Sequence, residues 1–336
     1  MEHMPLISTS PQIHQQGSTR RLMIWVLVAM APSALWGIYL FGSRVALILL
    51  ASTASAVLCE AILNLVFKRN NTLGDFSAVV TGVLVGFNMP PGIPLFIPTA
   101  ASVFAIAVVK WSFGGLGANW MNPAMAGRVF VFFSWGQDMS RYALPRTGAV
   151  DTLTGPTPLG SVKTALSTLP DGISGPMQLL DSEGLSTTYF RLFMGHMPGS
   201  VGEMSAMLII AGGLLLVFVK VINWEIPVSL LGSFGLLMWA FDGLQYGGAM
   251  FTGDLLFQLL TGGLMLGAWF MATDLVTSPL TFRGRVIYGV GCGFITFIIR
   301  SFGNFPEGVS LAIIFMNILV PLVDRFCKPS RYGVKP

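Results

Sequence analysis

Long apolar runs recur from one end of the chain to the other, at residues 22–41, 45–67, 94–109, 205–223, 226–241, 255–273, 285–299 and 308–323, with two shorter ones at 75–89 and 122–135. Crossing the hydrocarbon core of a bilayer takes ~20 helical residues at ~1.5 Å each. The eight longer runs approach or reach that length. The two shorter ones reach about two-thirds of it, as tilted or broken helices do. Only 10% of the 336 residues are charged and 53% are hydrophobic, whereas a soluble domain carries about 25% charged residues. Charge is too scarce to solvate a water-facing surface of this size, while a lipid-facing surface needs none. The sequence therefore predicts an all-α integral membrane protein of about ten transmembrane helices.

Charge placement tests that count. Arg20-Arg21 before an apolar run resembles a twin-arginine or secretory leader, but no small-residue cleavage site follows, so the run from Leu22 is read as the first transmembrane helix. With the N-terminus in the cytoplasm, twelve Lys and Arg fall inside and six outside, four of the six in one long loop. Long loops count least in the positive-inside rule. The chain then divides into a cytoplasmic N-terminal segment (1–21), a membrane half of five segments (22–135), an extracytoplasmic loop (136–204), a second membrane half (205–323) and a cytoplasmic tail (324–336). Five is odd, so two related halves would be inverted repeats. Two pairs of stretches hint at such a repeat: Lys110-Trp-Ser-Phe-Gly114 with Arg300-Ser-Phe-Gly303, and Asp75 with Thr81-Gly82 against Asp254 with Thr261-Gly262.

The net charge of +4 does not indicate a nucleic-acid partner. The basic residues lie between apolar runs, as topology signals do, and form no aromatic-interleaved face. Cys59, Cys292 and Cys327, like His3, His14 and His196, are scattered, so no metal site is expected within this chain.

One stretch of the long loop stands out: Asp151-Thr-Leu-Thr154-Gly155-Pro156-Thr157-Pro158-Leu159-Gly160. Two prolines and two glycines restrict or bend the backbone around one hydroxyl residue. On physics alone this is an ordered turn displaying Thr157. It is similar, however, to the flavinylation motif, in which an Asp, two free positions, Ser or Thr, Gly and a small residue precede an acceptor Thr. Asp151, Thr154, Gly155 and Thr157 match; Pro156 departs, since Ala or Ser is usual there. The resemblance implies that a flavin transferase joins FMN through its phosphate to the Thr157 hydroxyl. A second stretch, from Asp171 to Met177, shares the first part of the motif but ends in Met, which cannot form a phosphoester.

The likeness extends over nearly the whole chain. Gly114-Gly-Leu-Gly117-Ala-Asn119-Trp-Met-Asn122-Pro123, Thr273-Asp274-Leu-Val-Thr277, Arg283-Gly284-Arg285, Pro306-Glu307-Gly308-Val309 and the tail from Pro321 resemble sequences of the D subunit of the Rnf complex and of its longer relative in the sodium-pumping NADH:quinone reductase. The short N-terminal region favours the former. The resemblance implies a prokaryotic inner-membrane electron-transfer subunit with covalent FMN. It would work in a complex that couples ferredoxin/NAD electron transfer to Na+ or H+ translocation, with other membrane and peripheral Rnf subunits as partners. A quinone-reducing pump is the alternative. The chain has no nicotinamide fingerprint, because Gly114-Gly115-Leu-Gly117 follows no strand-like run and has the wrong spacing. The quinone-reductase relative carries a non-covalent riboflavin, which makes Asn119 and Asn122 candidates for a second flavin; the competing role is to satisfy backbone groups at a helix break.

Four more polar residues lie in or beside apolar runs: Glu60, Arg128, Glu203 and Asp274. Such groups line ion paths or form internal ion pairs. Asp75 and Asp254 are placed to cap the helices that follow, and Ser200 with Glu203 is spaced as a capping box. A redox-free channel or secondary transporter also suits broken helices and buried polar groups, but has no reason to carry the Asp151–Thr157 motif.

Overall fold

The computed structural model describes residues 18–68, 72–145, 154–166, 175–182, 187–303, 305 and 307–328. The fold is helical throughout its bulk, and its helices coincide with the apolar runs. In the first half α1 (Thr19–Phe41) and α2 (Ser43–Val66) are full-length, α3 (Ser77–Phe87) is short, α4 (Phe96–Phe104) continues as a π-helix over Ala105–Trp111, and α5 (Pro123–Ser134) is short. Among the described residues, five helices are long and apolar enough to cross a membrane. Their outward faces carry residues such as Leu65 and Phe302, both more than three-quarters exposed. Such faces require lipid or partner helices around them. This is a multi-pass membrane protein.

Local chemistry sets the helix ends. Gly42 closes α1 by donating its N–H to Ile38 O and adopts φ +82, which lets α2 start at once in the opposite direction. Pro90 and Pro91 prevent α3 from continuing beyond Asn88. Asn122 caps α5, accepting from the N–H groups of Ala124 and Met125, with Pro123 in the first turn where its missing donor costs nothing. At 11 residues α3 spans only about 16 Å, half of a hydrocarbon core.

Residues 136–204 hold short elements: α6 (Gly136–Met139), the paired strands β1 (Tyr142–Ala143) and β2 (Thr154–Gly155), α7 (Pro158–Ala165), α8 (Pro176–Ser182) and α9 (Tyr189–Met194). In the antiparallel pair Tyr142 faces Gly155 and Ala143 faces Thr154. Leu159, Val162, Leu179, Leu180 and Leu192 form a small core with Phe257 of the second half, so this segment is docked onto the bundle.

The second half has α10 (Ala206–Phe218), α11 (Glu225–Phe241, extended as a 3-10 turn to Tyr246), α12 (Leu255–Leu260), α13 (Leu264–Leu266, extended as a π-helix to Met271), α14 (Phe282–Phe302) and α15 (Val309–Phe326). The sequence reading of the sixth segment is corrected at its start. Ser205, not Ser200, caps α10 by accepting from Leu208 N–H, while Ser200 and Glu203 bond to each other through their side chains. The apolar run 255–273 is also not one helix: Gly262 (φ +72) and Gly263 (φ +64) break it. The two halves meet where α1 packs on α10 and α5 on α15. Small residues allow the closest contacts within each half. Gly82 and Gly86 of α3 lie against Ser52 and Thr53 of α2, and Gly289 and Gly293 of α14 against Ser229 and Ser233 of α11. In lipid, such van der Waals approach is the main force between helices.

Candidate functional site

Thr157 sits at the junction between β2 and α7. Pro158 starts the helix, and Thr157, with extended backbone (φ −65, ψ 154), is its N-cap; its Oγ1 accepts from Gly160 N–H at 3.1 Å. The hydroxyl is thereby fixed in orientation, with the partial positive charge of a helix N-terminus beside it. Thr154 and Gly155 hold the approach to it by pairing with β1. Asp151 lies outside the described residues.

Thr157 lines an open cleft of about 200 Å³. Phe132 of α5, Phe305 and Tyr142 supply aromatic wall, and Arg128 and Glu307 supply charge. The 6% exposure of Thr157 reflects its seat in this wall. An alanine Cβ at Gly160 would come within 3.1 Å of the Thr157 oxygen, so glycine leaves the hydroxyl its space.

Arg128 is the centre of the charge arrangement. It forms ion pairs with Glu307 and, at 3.8 Å, with Glu203. Its other arm donates to Asn88 Oδ1 at 3.0 Å and to Ser310 Oγ at 2.9 Å. Tyr142 donates its hydroxyl to Glu307 at 3.4 Å. Burial and the carboxylate of Glu307 push the Tyr142 phenol well above its ordinary value, so it remains a donor. Two acids share one guanidinium, Glu307 in the cleft wall and Glu203 outside it. An added anionic group would therefore meet both an attractive cation and two competing carboxylates.

A second cavity, about 80 Å³, brings together Asn119, Asn122, Lys110 and Asp274. It lies towards the other end of the bundle, as the chain path requires. The end of α1 lies at the docked loop, where Trp36 donates to Met194 O, and α2 runs away from it towards Glu60. Asn122 has both its polar atoms engaged, the oxygen in the helix cap and the Nδ2 on Met271 O at 3.1 Å. Asn119 Oδ1 is buried without a hydrogen-bond partner. Asp274 accepts from Thr277 Oγ1 at 3.0 Å. Glu60 is behind the cavity wall. Both its oxygens accept from Lys110 Nζ, at 2.9 and 2.8 Å, and one also accepts from Thr72. Asp254 caps α12 by accepting from Phe257 N–H, whereas Asp75 lies one residue before the cap position of α3 and accepts from Ser77 N–H and Ser77 Oγ.

The model of the NQR2, RnfD, RnfE family matches residues 6–333. The chain belongs to that family. Among curated proteins it is 38% identical to the D subunit of the proton-translocating ferredoxin:NAD(+) oxidoreductase complex of Clostridium ljungdahlii, over 98% of this chain and 96% of the relative. It is 39% identical to the D subunit of the Na(+)-translocating ferredoxin:NAD(+) oxidoreductase complex of Acetobacterium woodii, over 98% and 95%. It is 40% identical to the D subunit of the ion-translocating oxidoreductase complex of Stutzerimonas stutzeri, over 95% and 93%. Two relatives named for different ions are thus similar to nearly the same degree, so identity does not select the ion.

Within this family member the structure joins Thr157, Arg128 and Glu203 into one region and places Asn119, Asn122 and Asp274 in another. Glu60 belongs to neither cleft wall. The sequence reading missed Glu307, Tyr142, Asn88 and Ser310 as site residues. The available signal was the acidic residue of Pro306-Glu307-Gly308, a polar break just before an apolar run.

Proposed function

We propose that this chain is the flavin-bearing electron-transfer subunit of an ion-translocating ferredoxin:NAD oxidoreductase of the Rnf type. The observation that carries the proposal is the hydroxyl of Thr157, held by a helix cap inside a cleft with aromatic walls and one buried guanidinium. FMN joined there by a phosphoester would supply one- and two-electron transfer. Thr157 would be an anchor without acid–base duty. The N–H groups at the start of α7 are placed for a phosphate on that oxygen. Tyr142, Phe132 and Phe305 offer surfaces for a flat ring, beside the paired charges of Arg128 and Glu307.

The proposal includes a flavin transferase for maturation and the other subunits of the complex as partners. We also propose Asn119, whose side-chain oxygen has no partner, as a contact for a second, non-covalent flavin, such as riboflavin, with Asn122 as the cap of the neighbouring helix. We further propose ten membrane segments in two inverted halves, with both termini cytoplasmic and the Thr157 loop on the outer face. Two polar clusters support the repeat. Asp75, Ser77 and Thr81 resemble Asp254, Phe257 and Thr261: in each half an acid just before the helix accepts from a first-turn N–H, two residues on in one case and three in the other, and the threonine hydroxyl bonds the carbonyl four residues back.

Peptide mass spectrometry on the chain from its own host tests the function. An FMN increment on the peptide containing Thr157, absent from Thr157→Ala, is the expected result. An unmodified peptide from cells with an active flavin transferase overturns the redox role and favours a transporter.

A further inference from the structure

The end of α11 carries a polar cluster separate from the Thr157 cleft. Asp242, 2% exposed, accepts on Oδ1 from Gln258 Nε2 at 3.0 Å and interacts with the backbone N–H of Asp254, while its Oδ2 makes no hydrogen bond of good geometry. The Tyr246 hydroxyl and Arg300 Nε are likewise buried without partners. All three residues line one cavity of about 310 Å³, covered by Leu159, Val162 and Lys163 of α7. The residues lining this cavity thus carry an acceptor, a hydroxyl and a donor that lack hydrogen-bond partners, the groups a bound water needs.

The cluster has a counterpart at the other end of the bundle, and the difference between them is informative. Glu60 and Asp242 each lie near the end of the second helix of their half, and Lys110 and Arg300 near the end of the fourth. Lys110 is spent on Glu60, closing that pair. Arg300 is diverted. Its two amino groups donate to the carbonyls of Gln258, Thr261 and Gly262, which the Gly262-Gly263 break has freed, and its plane lies over Phe234. A broken helix in the membrane must have those carbonyls satisfied. Arg300 meets that need, and the carboxylate it would otherwise neutralise is left with an open oxygen.

We propose that Asp242 is a proton-exchange site, reached through water in this cavity on the Thr157 side of the protein. A hydronium ion gives its proton to Asp242 Oδ2 and leaves as water; the reverse step returns the proton. No other bond forms or breaks. A metal cation would require several oxygen ligands, whereas the free oxygens here are Asp242 Oδ2 and the Tyr246 hydroxyl, beside a guanidinium. A proton requires one. The charged and titratable groups facing Asp242 are Arg300 from α14, Lys163 from α7, Tyr246 from its own helix extension and Asp254 from the start of α12, which accepts from Tyr189 of α9. Arg300 stabilises the carboxylate and burial opposes it, so neither charge state is locked. A part for Asp242 in ion translocation rests on the function proposed above; the exchange chemistry does not.

Infrared difference spectra of the purified complex over a pH series test the site. The expected result is a protonated-carboxyl band that grows on acidification and shifts in D2O. It should be lost in Asp242→Asn, moved in Tyr246→Phe and unchanged in Glu60→Gln. A band that Asp242→Asn leaves at full strength overturns the proposal, as does a band that D2O does not shift. Should Asp242→Asn fail to assemble, Tyr246→Phe decides, since an unmoved band removes the shared cavity from the account. Flavin on Thr157 is scored in the same samples. A flavin-free chain with the Asp242 band supports the exchange site and sinks the redox role; a flavin-loaded chain without the band does the reverse.

Discussion

Arg128 and Glu307 stand 179 positions apart in the chain and form an ion pair in the wall of the cleft that holds Thr157. The pair ties α5 to the start of α15. It also sets the charge that any group attached to Thr157 would face. Glu203 approaches the same guanidinium from a third element, the turn before α10.

Removing this cation should therefore be costly. Arg128→Met leaves two buried carboxylates without a partner, and breaking a buried pair in this way costs ~3–5 kcal/mol. Arg128→Lys keeps the charge but not the fork that reaches Asn88, Ser310 and the acids together, and should recover only part of the loss. Thermal unfolding of the detergent-solubilised chain checks the order wild type, Lys, Met. Equal stability for wild type and Arg128→Met would show that the acids are neutral or hydrated in the native protein.

Variants of Thr157 should separate its two roles. Thr157→Ser keeps the oxygen that caps α7 and can still carry a phosphoester. Thr157→Val keeps the shape and loses both the acceptor and the cap, at about 1 kcal/mol. In-gel flavin fluorescence should be retained in Ser and absent in Val, with both proteins present in the membrane. Flavin on Thr157→Val would place the attachment elsewhere.

Glu60 and Lys110 can be tested as a closed structural pair. Lys110→Met alone buries an unpaired carboxylate and should cost ~3–5 kcal/mol, whereas the double variant Glu60→Leu/Lys110→Met should recover most of that, because replacing both members of a buried pair with apolar groups is near neutral. Thermal midpoints of the single and double variants decide it. If the double variant is stable but ion translocation fails, the pair belongs to the ion path.

How far the fold could be read from the chain follows from what marks a helix end. The change from apolar to polar residues locates the bilayer boundary, so the run from Leu22 ends with α1 at Phe41. The break at Gly262-Gly263 left no such change, since leucines flank it on both sides. Thr157 was legible because its neighbours resemble a family motif. Glu307 lies within a stretch that resembles the family, but its role requires Arg128, which no local spacing connects to it. Asp242 was not singled out, because an acid after an apolar run has the pattern of an ordinary interfacial residue.

Lys163 predicts a pH dependence. Its amine donates to Arg300 O and Phe305 O, each at 3.0 Å. Burial, and then the charge of Arg300, push it below the ordinary 10.5. The folded protein thus loses this proton before the unfolded chain does. Between the lowered value and 10.5 the unfolded chain holds more protons, so the contribution of Lys163 to stability rises with pH. Thermal midpoints of wild type and Lys163→Met across pH 8 to 10.5 check the sign; the difference should shift in favour of wild type as pH rises. A shift the other way would mean that the bonds to the two carbonyls outweigh the desolvation.

The contact of α11 with α14 yields a prediction with an internal control. A Cβ at Gly293 would lie 2.6 Å from Leu230 O, against backbone that cannot rotate away, while a Cβ at Gly232 meets nothing within 4 Å. Gly293→Ala must push the helices apart and forfeit packing that in lipid is the main attraction between them; overpacking of this kind costs ~1–3 kcal/mol. Gly232→Ala only removes backbone freedom in mid-helix and should stabilise by up to about 1 kcal/mol. The two substitutions have the same chemistry and opposite expected signs, so the thermal midpoint of each against wild type separates helix propensity from helix contact. A destabilised Gly232→Ala would place another chain of the complex against that face of α11.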